Sequence, residues 1–431
     1  MHTVAFHTLG CKVNQYDSQA MLEAFLAGGY EQAAFDGPAD VYVVNTCTVT
    51  GAGDKKSMQA VRRALRNNPQ AAMVVAGCLA QRAASDLLLP GVRLVLGTQR
   101  RGEVVRLLQR ALDEGIALVA VEELTAAPFE PLAITAHEGH TRAVLKIQEG
   151  CDQRCSYCII PDVRGPVRSR RLADVGAEAE RLAAAGFVEL VLTGIHLTSY
   201  GREMDNGISL VDAIRAVHAP QGVRRIRLGS LEPRVITPAF LQALRELPKV
   251  CPHFHLSLQS GSDAVLARMG RRYTAAGFLH ACDLLRQAFP QAAVTTDVMT
   301  GFPGETEAEF AQTRRVAEQA AFARMHVFPY SERAGTPAAA MPDPVSKALR
   351  EQRARVLIAQ GKQLQRAYLQ GLLGGVWQVL IEEPVPERGE GWMAGYTPEY
   401  VRVTLRGGEP GAIQKALLTA VEGDGMLGEP V

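Results

Sequence analysis

Three cysteines fall within eight residues, in the run Cys151-Asp152-Gln153-Arg154-Cys155-Ser156-Tyr157-Cys158. A cubane iron–sulfur cluster has four irons, and a closed cluster takes four cysteine ligands. Three thiolates from one tight loop hold three irons and leave the fourth open to a substrate or cofactor, as catalytic metal sites keep a free position where structural sites do not. The Cys-x3-Cys-x2-Cys spacing suits an open cubane better than tetrahedral zinc. Two arrangements compete with it: a set of redox or surface thiols, and zinc completed by a distant fourth ligand.

Three further cysteines, Cys11, Cys47 and Cys78, each come directly after a candidate strand. The first 120 residues alternate short apolar runs with helical periodicity. Strands are expected at 2–8, 41–45, 73–77 and 92–96, and helices near 15–26, 55–66 and 80–88. That alternation points to βαβ units and an open parallel sheet. Ligands of such sheets bind at the strand carboxyl ends, so the three cysteines are expected to converge there and hold a second cluster. The alternative is three buried cysteines acting as small hydrophobes. Gly10 and Gly77 precede two of the cysteines, and Thr46 and Thr48 flank the third. Such residues let the backbone approach a cluster and donate hydrogen bonds to its sulfur.

Residues 121–140 have no clear period and contain Pro128 and Pro131, which marks a linker. Beyond them, strands are expected at 143–147, 189–192, 224–228, 253–258, 293–299 and 324–328. Six βα repeats over 141–370 imply a partial (β/α)6 barrel, in which function gathers at the strand carboxyl ends. The cysteine loop falls at that edge, as do Gly194, Glu232, Gln259 and Ser260. His196 and His255 are acid–base candidates that serve equally well as structural histidines. A helix at 345–370 closes this domain, and the short alternating runs of 371–431 imply a small β-barrel. The fold class is therefore α/β in three parts: 1–120, 141–370 and 371–431. Cys251 and Cys282 have no partner spacing and are expected to be structural thiols.

At 431 residues and 47% hydrophobic composition the chain has ample material for several cores. No apolar run approaches the roughly 20 residues that span a bilayer, and the first residues do not read as a signal peptide. Eight cysteines in this length are too dilute for a disulfide framework. A cytoplasmic protein is expected, with no membrane contact. Net charge is only +1, so any nucleic-acid contact must be local. Arg164, Arg168, Arg170 and Arg171 follow the cysteine loop, and Arg224, Arg225, Arg227, Arg268, Arg271 and Arg272 form later clusters. These are candidates for neutralising RNA phosphates, against the alternative of salt bridges on a solvated face.

The cysteine loop, with Tyr157 before its last cysteine, resembles the signature of radical S-adenosylmethionine (SAM) enzymes. Further motifs extend the likeness: Leu9-Gly10-Cys11-Lys12-Val13-Asn14-Gln15-Tyr16, Asn45-Thr46-Cys47-Thr48-Val49-Thr50, Gly77-Cys78, and Gln148-Glu149-Gly150-Cys151 through Arg164-Gly165. Together they make essentially the whole chain resemble the methylthiotransferase branch of those enzymes. The resemblance implies two [4Fe-4S] clusters, a radical SAM cluster on Cys151, Cys155 and Cys158 and an auxiliary cluster on Cys11, Cys47 and Cys78. A SAM pocket is expected along the strand edge, with Tyr157, Gly194, Glu232, Gln259 and Ser260 as its candidates, although each strand-edge motif taken singly reads as a strand-to-helix turn. The resemblance also implies a terminal RNA-associated module of the TRAM type. Two SAM molecules serve each turnover in that family. One methylates a sulfur at the auxiliary cluster, and the other yields a deoxyadenosyl radical that removes hydrogen from adenine C2. The expected partners are a tRNA anticodon stem-loop, an electron donor such as a flavodoxin or ferredoxin, and a sulfur source.

Within the branch, Gly-Cys-Lys-Val-Asn-Gln-Tyr is similar to MtaB-type members, which convert N6-threonylcarbamoyladenosine next to the anticodon to its 2-methylthio form. Members acting on isopentenyl-adenosine more typically carry Gly-Cys-Gln-Met-Asn, and those acting on a ribosomal-protein aspartate carry Gly-Cys-Pro-Lys-Asn. Two readings from other classes are a noncatalytic iron–sulfur electron carrier and an RNA-binding module without catalysis. One feature departs from the family pattern: residues 371–431 hold four basic and nine acidic side chains. That charge balance shifts the expected RNA grip to the arginines near the barrel mouth.

Overall fold

The computed structural model describes residues 2–125, 127–137, 139–204 and 207–431. Its first part is a six-stranded parallel sheet of β1 (Thr3–Thr8), β2 (Glu31–Gln32), β3 (Val41–Thr46), β4 (Ala72–Gly77), β5 (Val92–Leu96) and β6 (Leu118–Ala120). The strand order is β2-β1-β3-β4-β5-β6, and every pair is parallel. Helices α1 (Lys12–Ala27), α2 (Gly51–Asn67), α3 (Cys78–Arg82) and α4 (Val104–Asp113) connect these strands. β3 and β4 are buried along their whole length, as the unbroken apolar runs of a sheet covered on both faces require. The short edge strands β2 and β6 and the helix α4 were not among the expected elements. The helix expected at 80–88 is instead α3, which starts at Cys78, followed by a 3-10 turn at Ala84–Leu87.

The second part is a broken barrel. Strands β7 (Arg142–Glu149), β8 (Arg168–Ser169), β9 (Glu189–Gly194) and β10 (Arg225–Leu228) form one sheet, in the order β10-β9-β7-β8. Strands β11 (His253–His255), β12 (Ala293–Thr300) and β13 (Arg324–Pro329) form another. Parallel bridges Ile226–Val250 and Leu231–Leu256 join the two across β10 and β11. Helices α5 (Ile160–Arg164), α6 (Leu172–Ala184), α7 (Leu210–His218), α8 (Pro238–Arg245), α9 (Asp263–Arg268), α10 (Ala275–Ala288), α11 (Glu307–Ala320) and α12 (Lys347–Gln370) complete it. Among the described residues β13 forms no ladder with β7, so the wall is open there. Strand β8, absent from the sequence expectation, runs antiparallel to β7, pairing Gln148 with Ser169 and Glu149 with Arg168.

Helix α1 belongs to two cores. Met21, Leu22 and Phe25 pack with the first sheet, while Tyr16 and Ala20 pack with the barrel strands. The segment expected as a linker is packed rather than loose. Ile134 is fully buried, the Tyr16 hydroxyl donates to the carbonyl of Leu132 at 2.9 Å, and Glu178 accepts from the amide of Ile134 at 3.1 Å. A tyrosine hydroxyl and a glutamate carboxylate thus satisfy backbone groups that no strand or helix reaches.

The third part is a closed five-stranded barrel of β14 (Val376–Pro384), β15 (Trp392–Tyr396), β16 (Arg402–Arg406), β17 (Ile413–Glu422) and β18 (Gly425–Pro430). Arg225 and Arg227 fasten it to β10. Arg225 donates to the carbonyls of Tyr396 and Gln378 at 2.9 and 2.8 Å, and Arg227 donates to that of Pro398 at 2.8 Å. Both are buried, so they serve as internal fasteners and present no charge to RNA.

Candidate active site

The order β2-β1-β3-β4 reverses direction between β1 and β3, and ligands of such sheets sit in the crevice at that reversal. Cys11 leaves β1 and caps α1, Cys47 leaves β3, and Cys78 leaves β4 as the first residue of α3. The fold therefore brings the three thiols to one edge. Gly10 has φ +104, and a Cβ there would stand 3.1 Å from Cys47 Sγ. Gly77 has φ +95, and a Cβ there would stand 2.3 Å from Asn45 Oδ1. Only glycine tolerates either position, so the backbone has closed in on the thiols.

All eight cysteines are free thiols. Burial pushes the Cys78 thiol up to about 11, against the opposing pull of Arg164. Burial likewise raises Cys151 to about 11 and Cys158 to about 12. Buried thiols without a counter-cation stay neutral, and a metal supplies that counter-charge. Among the described residues no three ligating side chains stand close enough to share one ion. A cubane takes one thiolate per iron, so two wider-set thiol trios fit it on donor type and number.

The loop at 151–158 is pinned at several points. The Cys151 amide donates to Gly165 O at 3.0 Å, the Ser156 amide to Met269 O at 3.0 Å, and the Ala338 amide to Ser156 O at 2.8 Å. Arg154 holds a left-handed φ of +41. Tyr157 sends its ring into an apolar cluster with Phe302, Met269 and Tyr330, meeting Phe302 edge-on at 6.4 Å. Arg271 donates to Cys155 Sγ at 3.3 Å and to the Tyr273 hydroxyl at 3.0 Å.

The other candidates at the strand edge divide. Gly194 ends β9 with the Gln148 side chain lying over it, and Gln148 Oε1 accepts from the His196 amide at 2.7 Å. His196 Nε2 lies 3.5 Å from Glu232, which accepts from Gln153 of the cysteine loop at 3.4 Å. Burial raises Glu232, but the His196 contact with Arg271 and Arg234 outweighs it and holds the carboxyl below its usual range. Gln259 has a left-handed φ of +63 and a buried Oε1 without a partner. A non-glycine residue held there costs about 1–3 kcal/mol and persists where function requires it. Ser260 is fully buried, and its hydroxyl meets Thr313 of α11 at 3.2 Å, which fastens that helix. His255 bonds Thr295 at 3.0 Å and lies 3.4 Å from Asp297.

The arginines after the loop correct the phosphate-binding expectation. Arg164, Arg168 and Arg170 are buried, because β8 folds that segment back along β7. Arg170 pairs with Glu178 and donates to the Tyr16 hydroxyl at 3.1 Å. Arg171 remains exposed, on Asp174 at 2.8 Å. Arg164 joins a buried network that spacing did not reveal: Asp17 of α1, Arg101, and Lys146 and Glu149 of β7. Lys146 reaches Asp17 at 2.5 Å and Glu149 at 3.1 Å, and Arg164 reaches the same two carboxylates at 3.1 Å each. Its Nε donates to Cys78 Sγ at 3.1 Å. Cys78 also packs on Ile159 and Val163, which follow the other cysteine loop. Arg333, buried just beyond the carboxyl end of β13, donates to Thr48 and Asp54 beside Cys47, each at 2.7 Å. The two thiol trios are thus locked to one another by shared packing and ion pairs.

A broken parallel barrel with three thiols at its carboxyl edge defines a radical SAM fold, and the added sheet with its own thiol trio narrows the class. Residues 145–317 match the radical SAM superfamily and residues 3–97 match uncharacterized protein family UPF0004. The chain is 43% identical over 414 residues to the threonylcarbamoyladenosine tRNA methylthiotransferase MtaB of Bacillus subtilis, covering 95% of this chain and 91% of that protein. The protein of the same name from Thermotoga maritima is 34% identical over 428 residues, covering 99% and 96%. A tRNA-2-methylthio-N(6)-dimethylallyladenosine synthase of Parafrankia is 40% identical over 352 residues, covering 80% and 71%. In fold, the chain is similar to the radical SAM methyltransferase TsrM of Kitasatospora setae, with TM-score 0.56 and 15% identity over 78% of this chain and 77% of that one. The chain belongs to the radical SAM methylthiotransferase family, whose barrel takes SAM and a [4Fe-4S] cluster.

Proposed function

We propose that this enzyme places a methylthio group on C2 of N6-threonylcarbamoyladenosine in a tRNA anticodon loop. The observation that carries the reading is the fusion of two thiol trios across one buried network, Cys78 to Arg164 to Glu149, two residues before Cys151. Identity to the two threonylcarbamoyladenosine enzymes over nearly the whole chain supports the substrate class.

Cys151, Cys155 and Cys158 would hold the cluster that binds SAM, and Cys11, Cys47 and Cys78 a second cluster. When bound, these groups supply the radical that activates an unreactive C–H bond and the sulfur that replaces its hydrogen. The chain's own residues position and insulate. Arg271 aims a cation at Cys155, and Arg164 does so at Cys78. Gln148, His196, Glu232 and Gln153 link the loop to the barrel edge, and the partnerless Oε1 of Gln259 is free to accept a hydrogen bond from SAM. The base must leave its stack to reach the thiols, which a loop nucleotide does at least cost. A flavodoxin or ferredoxin as reductant, a separate sulfur source and a cytoplasmic site complete the reading; no helix among the described residues is long and apolar enough to cross a membrane.

The test is reconstitution under anaerobic conditions with SAM, a reductant and tRNA carrying threonylcarbamoyladenosine, followed by nucleoside mass spectrometry. Methylthio product and deoxyadenosine together support the reading. Deoxyadenosine without methylthio product on this tRNA, but with it on dimethylallyladenosine tRNA, reassigns the substrate.

A further inference from the structure

A cavity of about 420 Å³ lies where the three parts of the chain meet, lined by Lys12 and Gln15 of α1, Val144 of β7, Val191 of β9 and Tyr400 of the terminal barrel, among others. Lys12 directly follows Cys11, the exposed thiol of that trio. The Lys12 side chain is exposed, lines the cavity and makes no ion pair or hydrogen bond among the described residues.

The neighbouring charges are already committed. Arg142, the other strong cation lining the cavity, pairs with Glu382 at 2.6 Å and lies over the rings of Tyr396 and Tyr400 at 5.0 and 4.9 Å. Glu383 is at the outer rim, 65% exposed and 3.7 Å from Arg402. Burial, with His140 beside it, lowers His137 to about 4, and burial with Arg142 nearby lowers His140. Both imidazoles are therefore neutral near pH 7. Among the described residues lining this space, Lys12 is the one Lys or Arg without an ion pair or hydrogen bond; desolvation lowers its pKa from the ordinary lysine value, with Tyr400 pulling the other way.

The two substrate classes named among the relatives differ at N6 and not at the reacting carbon. A threonylcarbamoyl group carries a carboxylate, whereas a dimethylallyl group is pure hydrocarbon. An ammonium facing the carboxylate makes a charge-assisted hydrogen bond. Facing a hydrocarbon tail it loses water and gains nothing, which is how a polar site rejects an apolar analogue. We propose that Lys12 reads the carboxylate of the N6 substituent and so selects threonylcarbamoyladenosine over N6-alkyl adenosines. This rests on the functional reading above.

The experiment measures binding of the cluster-loaded enzyme to three anticodon stem-loops. One carries threonylcarbamoyladenosine, one its neutral threonine-amide analogue, and one unmodified adenosine. Wild type is expected to prefer the carboxylate form over the amide by roughly ten- to a hundredfold, the range of a charged hydrogen bond. Lys12→Gln should erase that preference, Lys12→Arg should keep most of it, and loss of the ammonium and loss of the carboxylate should not add. A Lys12→Gln enzyme that still prefers the carboxylate form, or a wild type without the preference, overturns the proposal. Failure of the functional reading looks different: wild type would then form no methylthio product on threonylcarbamoyladenosine tRNA, whatever its binding preference.

Discussion

Arg164 Nε lies 3.1 Å from Cys78 Sγ while its terminal nitrogen reaches Asp17 and Glu149. One guanidinium therefore links a thiol of the first sheet to carboxylates on α1 and on the strand that leads into the other cysteine loop. Removing it leaves two buried carboxylates short of a cation. Arg164→Ala should lower stability by about 3–5 kcal/mol, read as a shift in the denaturant midpoint. Arg164→Lys should recover part of that, yet cannot reproduce the planar donor on sulfur. Hydrogen bonds to sulfur raise a cluster's potential. In a background with alanine at Cys151, Cys155 and Cys158, the lysine variant should show a more negative potential by redox titration followed by electron paramagnetic resonance. An unchanged potential would make the Arg164 contact purely structural.

The two thiol trios should separate cleanly in iron counting. Triple alanine replacement at Cys151, Cys155 and Cys158 should leave about four irons per chain and abolish deoxyadenosine formation. Replacement at Cys11, Cys47 and Cys78 should also leave about four irons, retain SAM cleavage and yield no methylthio product. A single trio able to hold all the iron would contradict the two-site arrangement.

Gly77→Ala tests the close approach of backbone to the first trio. Its Cβ would meet Asn45 Oδ1 at 2.3 Å and the carbonyl oxygen of Thr46 at 2.7 Å, on a backbone with φ +95. A cost of at least about 2 kcal/mol is expected from strain and displacement. Iron bound by a variant lacking Cys151, Cys155 and Cys158 should fall below that of the same background with Gly77 intact.

Acid should weaken the joint between the barrels through Glu189. Its carboxylate pairs with Arg227 at 2.7 Å, Arg225 at 3.6 Å and Arg142 at 3.9 Å. Burial pushes it up, but Arg227, Arg142 and Arg225 together hold it below the ordinary glutamate value of 4.5. A carboxyl with a depressed folded pKa contributes stability above its unfolded value and loses it as pH falls through the folded one. Melting temperature should therefore drop below about pH 4.5. Glu189→Gln should melt lower at pH 7 and lose less on acidification, because this contribution is already gone.

Much of the architecture was legible in order along the chain. The unbroken apolar runs of β3 and β4 and the alternation of strands with helices mark a covered parallel sheet, because side-chain period and burial are local properties. The positions of Cys11, Cys47 and Cys78 after successive strands, and the spacing of Cys151, Cys155 and Cys158, identify the chemistry for the same reason. β2 and β6 escaped notice because two or three residues carry no period. Arg164, Arg168 and Arg170 misled because charge alone does not say which way a segment turns; the short antiparallel β8 turned them inward.

By itself the sequence determined which thiols are candidate iron ligands, the longer strands and helices in their order, and the family. Only the tertiary structure decided which charges meet. Asp17 and Lys146 stand 129 residues apart yet lie at 2.5 Å, and among the described residues Lys12 makes no ion pair or hydrogen bond while Arg142 and Lys146 do. Burying an ion pair depends on every neighbour that excludes water and every carboxylate within reach. Those neighbours come from three parts of the chain, so no local pattern specifies them.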